Sequence, residues 1–446
     1  MKRSSMFQVP RFKLPIVLCA AFAVAVSSWA GELTVTSPNK IVTETLDHNY
    51  PLKVSAQNVN VYDARHRQAK AQAYPTLDVK AQAARYQGLE DATLGPQTTI
   101  EAVEDRYSAS IGITQPLYTG GRISNQKRGA FSRKSAAEQS LGATKADTVL
   151  AALTTYWNWS KAHYLAQSLE SAVERTEAHA VDMRNQHDAG MVTDNDLLAT
   201  EVQLDQTRLL LEDARNRVAL SRSKIEFLTG NPLSESAVPE EAVVPADMAT
   251  PGTNSEVHRP EMIAGALDVE ATEAQQQSTK SDFYPQLSLS ARYEQANPNV
   301  MDFPLADEWK YDAFAGVTLS WNLLDWGLTR AKAAEAAAQT EQARLRLKQL
   351  EEQITLEIRE ARINLQDASS RVTVTERACK SAERNLQAAT DLWESGLARH
   401  SDVLDAMAQL TDAQYQLIAA QADVLLARAA LDHATGEISR QYAETP

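Results

Sequence analysis

From residue 197 to 225 an apolar side chain returns every seven positions, at Leu197, Leu204, Leu211, Val218 and Ile225. The spacing recurs at Val403, Leu410, Leu417, Val424 and Leu431. A period of seven keeps one stripe of a helix turned toward a neighbouring helix, which predicts two helices with a coiled-coil-like seam; a buried stripe in an ordinary bundle gives the same spacing. Just upstream, residues 122–189 and 328–395 contain no proline and are rich in Ala, Glu, Gln, Lys and Arg, all good helix formers. Each stretch predicts one helix on the order of 100 Å long at ~1.5 Å per residue. Gly190 and Gly396 then mark reversals, and the heptad helices run back to stop at Gly230 and Gly436, because glycine accepts the left-handed conformation that ends a helix. Each half is predicted to be a long antiparallel helical hairpin.

A different period precedes each hairpin. Tyr107, Ala109, Ile111 and Ile113 alternate with Ser108, Ser110, Gly112 and Thr114, and Tyr311, Ala313, Ala315, Val317, Leu319 and Trp321 repeat the rhythm. Alternation of this kind predicts strands with one apolar and one polar face. Candidate partners lie upstream at 77–86 and 287–293, across loops near 89–105 and 296–310, giving two β-hairpins. Strands of this length with apolar faces and terminal aromatics fit a transmembrane β-barrel, with Tyr107, Trp309, Tyr311 and Trp321 as interfacial girdle residues. Two soluble hairpins over a core are the plainer reading. Four strands do not close a barrel, since the smallest membrane barrels use about eight, so several chains must contribute or there is no barrel.

The halves are alike in wording as well as in rhythm. Tyr74-Pro75-Thr76-Leu77 is echoed by Tyr284-Pro285-Gln286-Leu287, and GMVTDNDLLATEVQL from Gly190 by GLARHSDVLDAMAQL from Gly396. The offset, 396 minus 190, is 206, and Thr229-Gly230 and Thr435-Gly436 keep it. This indicates an internal duplication, with a first structural repeat over 31–230, a Pro-, Ser- and Glu-containing linker or equatorial segment over 231–258, a second repeat over 259–436, and a C-terminal tail over 437–446.

Residues 1–30 carry Lys2, Arg3, Arg11 and Lys13, an apolar run at 14–26, and Ser28-Trp29-Ala30, the layout of a cleavable signal peptide. Cys19 follows Leu18 where a lipoprotein signal wants a small residue, so it is discarded with the signal and no lipid anchor is expected. Cys379 is then alone, which excludes an intramolecular disulfide and suits a buried or helix-face thiol. Removing four basic residues takes the formal charge from −14 to −18, which disfavours nucleic acid as a partner.

The QPLYTGGR run at 115–122, its counterpart WNLLDWG at 321–327, the Tyr-Pro-x-Leu strand entries, the Gly-to-Asp-x-Leu turns and the Leu-Thr-Gly helix end together resemble the TolC family of outer-membrane efflux and secretion channels. The match spans nearly the whole mature chain, and the order and duplication of the motifs make it specific. The resemblance implies a mainly α fold with a small β part. Long antiparallel hairpins would form a homotrimeric α-barrel of twelve helices, continuous with a twelve-stranded barrel in outer-membrane lipid, four strands per chain. It implies a passive exit duct of a tripartite efflux or type I secretion system, worked by an inner-membrane ABC or proton-driven transporter through a periplasmic adaptor. The adaptor would dock at the tip turns formed by Gly190, Met191, Val192, Gly396, Leu397, Ala398 and Arg399. Acidic residues of the second tip narrow the entrance in the family, and Asp402 and Asp405 occupy those places, with Asp196 on the first tip. Three copies around one axis would make a cation-favouring ring, whereas the plainer reading makes Asp402 a helix N-terminal carboxylate and Asp405 a solvated face residue. Family members also close the tip with an arginine and a tyrosine. Ala398 and Trp393 stand at those places, leaving Arg399 or His400 as substitutes, although a lone histidine is usually an ordinary surface residue. The missing lipid anchor leans toward the secretion or general-purpose branch.

Catalysis is not expected. GxSxG, HExxH, P-loop and GxGxxG patterns are lacking in a sensible context, the eight histidines are scattered, and neither metal nor cofactor is predicted. The competing class is a periplasmic or envelope coiled-coil scaffold without a pore, which would extract with the periplasm.

Overall fold

The computed structural model describes residues 34–93, 99–100, 102–241, 259–301 and 307–442. The expected signal peptide, residues 242–258 of the linker and the last four residues lie outside them. The described chain starts with a short strand β1 (Thr34–Thr36) and two helices, α1 (Pro38–His48) and α2 (Tyr50–Ala71). Asn49 separates the helices: its Oδ1 accepts the Leu52 N–H at 2.9 Å. Pro51 follows in the first turn of α2, where its missing N–H costs nothing. Then come β2 (Thr76–Arg85), a two-residue ladder of β3 (Ala92–Thr93) and β4 (Thr99–Ile100) within the loop, and β5 (Asp105–Tyr118). The first helical hairpin is α3 (Arg122–Asp188) with α4 (Asp194–Thr229), followed by the short strand β6 (Ala237–Pro239). The second half runs α5 (Pro260–Lys280), one 3-10 turn (Ser281–Phe283), β7 (Gln286–Asn297), β8 (Lys310–Ser320), α6 (Leu328–Glu394), α7 (His400–Thr435) and α8 (Glu437–Gln441).

The fold is thus mainly helical with a small strand part. In both halves the long helix has 67 residues and its return helix 36, so the long members reach roughly 100 Å at 1.5 Å per residue. Small residues on the contact faces let such long helices approach closely. Ala361, Leu365, Ala368 and Val372 of α6 pack on Ala420, Val424, Leu431 and Ala434 of α7, and Ala166 and Leu169 of α3 pack on Leu211 and Ala214 of α4. The heptad positions hold: Leu204, Leu211, Ile225, Val403, Leu410, Val424 and Leu431 are buried, with Leu197, Val218 and Leu417 half-buried.

Bulkier side chains collect where α1 crosses the middle of α3. Ile41, Tyr156, Trp159, Ile225 and Ala237 form one cluster there, and Val42, Leu46, Val149 and Ile438 belong to a second. The Tyr156 hydroxyl donates to the Thr36 carbonyl at 2.8 Å and accepts the Glu240 N–H at 2.9 Å, pinning the parallel pair β1–β6. The start of the expected linker is therefore a largely buried strand, and the start of the expected tail is a helix that buries Ile438. Neither element shows a seven- or two-residue period long enough to read from sequence.

The four longer strands form one antiparallel sheet in the order β2-β5-β7-β8. The β5–β7 pairing joins the two halves. Its register shifts between Pro116 and Tyr118, a bulge where proline's missing N–H does least harm. The strands run longer than the alternation alone suggests, β5 by four residues past Thr114 and β7 by four past Tyr293.

Candidate functional site

Two parts of the molecule carry the expected functional residues: the sheet at one end and the helical turns at the other. In the sheet, the register places Leu77, Val79, Ile111, Ile113, Leu289, Tyr293, Val317 and Leu319 on one face, and all of them are exposed. Asp78, Lys80, Ser110, Arg292, Glu294 and Asp312 share the other face, where Arg292 pairs with Glu294 at 3.3 Å. A continuous exposed apolar face of this extent marks a surface that is covered in use. Strands of 10 to 14 residues tilted by about 40° are long enough to cross a bilayer's hydrocarbon, while no described helix is long and apolar enough to do so. Within the described chain β2 and β8 are the sheet's edges, each presenting unpaired backbone groups to another strand.

The expected girdle residues divide between the two ends of the sheet. Tyr107 stacks on Trp309 at 6.4 Å and Tyr311 on Tyr293 at 5.8 Å, near the loop ends of the hairpins. Trp321 sits at the helix end, its Nε1–H donating to the Phe283 carbonyl at 3.1 Å.

At the far end both helical turns are built alike. Gly190 and Gly396 have φ of 70° and 72°. Around them the backbone makes the double hydrogen bond that closes a helix on a left-handed residue: Gly190 N to His187 O and Met191 N to Gln186 O, and Gly396 N to Trp393 O and Leu397 N to Leu392 O, all 2.8–2.9 Å. Met191 and Leu397 are consequently thrust out as exposed apolar tips, flanked by half-buried Val192 and Ala398. Each return helix opens on an aspartate cap. Asp196 accepts the Thr193 hydroxyl at 2.7 Å and its N–H at 3.2 Å, contacts that hold its carboxyl below the usual range. Asp402 accepts the Arg399 N–H at 3.0 Å. Asp402 and Asp405 are exposed on the first turn and a half of α7, with Arg399 just before them. Asp402 thus has the helix-capping place of its plainer reading, and its exposure leaves its charge facing outward as well.

His400 corrects a sequence expectation, because it is buried. Its ring stacks on His179 of α3 at 5.1 Å and lies 5.7 Å from Trp393, which also meets His179 edge-on at 5.6 Å. His400 Nε2 lies 2.8 Å from the Thr200 hydroxyl of α4. One cluster therefore ties the second turn to both helices of the first hairpin. Arg399 is exposed and takes no part. Partners 221 positions apart in sequence, as 400 and 179 are, carry no local signal.

The described residues contain one grouping with metal-ligand chemistry: Asp147, Glu261 and His433 at mid-length. The Arg259 guanidinium already serves as its cation. It holds Glu261 at 2.9 Å and Glu357 at 2.8 Å, and His433 Nε2 lies 2.8 Å from Asp147.

The family profile described as "Outer membrane efflux protein" matches residues 41–231 and 253–437. The chain belongs to this family. Among characterised members, the solvent efflux pump outer membrane protein SrpC of Pseudomonas putida is 24% identical over 263 residues, 56% of this chain and 54% of SrpC. The chain thus spans about half the length of that relative. BepC, an outer membrane efflux protein of Brucella suis, is 22% identical over 91% of this chain and 88% of its own. In fold, the family likeness extends to the CmeC outer membrane channel of Campylobacter jejuni, with a TM-score of 0.79 at 15% identity over 98% of this chain and 97% of CmeC. CusC gives 0.78 at 18% over 90% and 92%.

Proposed function

We propose that the chain is the outer-membrane exit duct of a tripartite efflux system, a passive conduit driven by an inner-membrane transporter through a periplasmic adaptor. The observation that carries the reading is the open four-stranded sheet with one continuous exposed apolar face, joined directly to two hairpins about 100 Å long. A sheet with two free edges and a lipid-type face is completed by copies of itself. Three chains give twelve strands, the polar face lines the lumen, and the hairpins continue the tube into the periplasm. Tyr107, Trp309 and Tyr311 then sit at the outer interface and Trp321 at the inner. The equal helix lengths and twin turns support an internal duplication, with repeats over 31–230 and 259–436.

At the periplasmic end the Met191 and Leu397 turns offer the adaptor two exposed apolar knobs. Asp402 and Asp405, three copies each, gather negative charge at the entrance, with Asp196 beside them. SrpC and BepC are both efflux proteins, which favours efflux over protein secretion; the cargo is selected by the transporter.

Planar-bilayer conductance of the purified mature protein tests this. Wild type is expected to give a cation-selective channel blocked by divalent cations. Asp402→Asn with Asp405→Asn should lose that block, since asparagine keeps an acceptor for the Arg399 N–H and removes the charge. A folded oligomer without conductance would favour the envelope scaffold instead.

A further inference from the structure

We propose that His179, Trp393 and His400 form a proton-released latch that fastens the second helical hairpin to the first near the tips. The geometry assigns the protons. The Thr200 hydroxyl spends its hydrogen on the Asp196 carbonyl at 2.8 Å, so it accepts from His400, and Nε2 of His400 carries the N–H. Nδ1 of His400 is then a bare lone pair, buried without a partner, and Nε2 of His179 is likewise buried and unpartnered. The two rings face each other with planes only 20° apart. A proton added to Nδ1 of His400 creates a buried N–H with no acceptor, at close range to a second imidazole. Only separation of α7 from α3 gives that N–H water.

The surrounding charges do not reverse this. Asp182 on α3 pulls His179 toward protonation and Asp196 on α4 does so for His400, but burial outweighs both. α6 presents the Trp393 indole, and on α7 the Asp402 carboxylate is engaged by the Arg399 N–H. Burial, with His400 as a second contribution, pushes His179 down to about 4, and burial also lowers His400. Both groups are bases with depressed values in the closed state. The latch is therefore at full strength above the ordinary histidine value near 6.5 and is lost as pH falls toward 4. Acidification well below 6.5 would therefore loosen the second tip.

Hydrogen exchange of the purified mature oligomer at pH 7.5 and 5.0 tests the latch. After correction for intrinsic chemistry, amides at 176–183 and 393–404 in wild type should exchange roughly tenfold or more faster at pH 5.0, from the separation of closed and open proton affinities. His179→Phe keeps a ring in the stack with nothing to titrate, and His400→Gln keeps a donor to Thr200; each should reduce the excess, and the double variant should abolish it. The same acid response in the variants, or none in wild type, overturns the proposal. Should both variants misfold, ring-proton NMR of wild type decides. Two histidines titrating well below 6.5 in step with exchange support the latch, and ordinary titration of all histidines refutes it. That release opens an entrance rests on the channel reading. Exchange reports the latch and conductance at the two pH values reports the entrance, so the two ideas fail separately.

Discussion

The two helical tips have the same backbone and opposite chemistry. Shifting the first by 206 residues places His187 on Trp393, Asp194 on His400 and Asp196 on Asp402. In the first tip the cross-turn contact is polar and exposed: His187 Nε2 meets Asp194 Oδ1 at 2.5 Å, with Asp188 at 3.6 Å. In the second the same two positions hold an indole and a buried imidazole that turn inward onto His179 and Thr200. One tip is closed on itself, and the other is fastened to its neighbour. An exposed ion pair contributes little to stability because water and salt screen it, whereas a desolvated ring cluster is costly to break and is sensitive to protonation.

The comparison breaks first at Trp393. Trp393→Ala removes the ring that touches both histidines and should cost about 2–3 kcal/mol of local stability, below the range for a fully buried tryptophan because this one is half-buried. Opening free energies from hydrogen exchange at the start of α7 measure it. His187→Ala, the same position in the first tip, should leave its own turn nearly as protected as before. Equal losses at the two tips would mean that the cluster fastens nothing.

Which of these features were legible beforehand follows from how local they are. The heptads, the two glycine turns and the alternating strands depend on neighbours within one or two turns of chain, so Leu211, Gly396 and Ile111 announce their places. The pairings of β2 with β5 and of β7 with β8 follow from alternation plus connection length, whereas the β5–β7 pairing joins strands separated by a whole helical hairpin. The inward turn of His400 depends on His179 and Thr200, brought to it only by the packing of one hairpin on the other, and β6 and α8 owe their burial to Tyr156, Val42 and Leu46 far away in sequence. The distinction between Asp402 as cap and as entrance charge is not local either, since the second role needs other copies of the chain.

A smaller effect tests the sameness of the backbones. Gly190→Ala and Gly396→Ala each force an L-residue into the left-handed region, at about 1 kcal/mol apiece. An added Cβ would meet no atom within 4 Å at either glycine, so the cost is backbone strain alone and should match between the tips to within about 0.5 kcal/mol by the same exchange measurement. A much larger penalty at Gly396 would show that the second turn is held by more than its own hydrogen bonds.

The smallest effect, at the first tip, is the most diagnostic, because the larger effect at the second tip has the opposite sign. The hydrogen bond to Asp194, with Asp188 adding to it, raises His187 above the ordinary histidine value. A raised base contributes fully below about 6.5 and its contribution disappears as pH climbs through the raised value. His179, depressed by burial, contributes above 6.5 and is lost as pH falls. From pH 5.5 to 8, amides 188–196 in wild type should therefore lose a little corrected protection while amides 393–404 gain it. Asp194→Asn should flatten the first profile and leave the second untouched. Parallel profiles at the two tips would mean that a single global opening, rather than two chemically different turns, governs this end of the molecule.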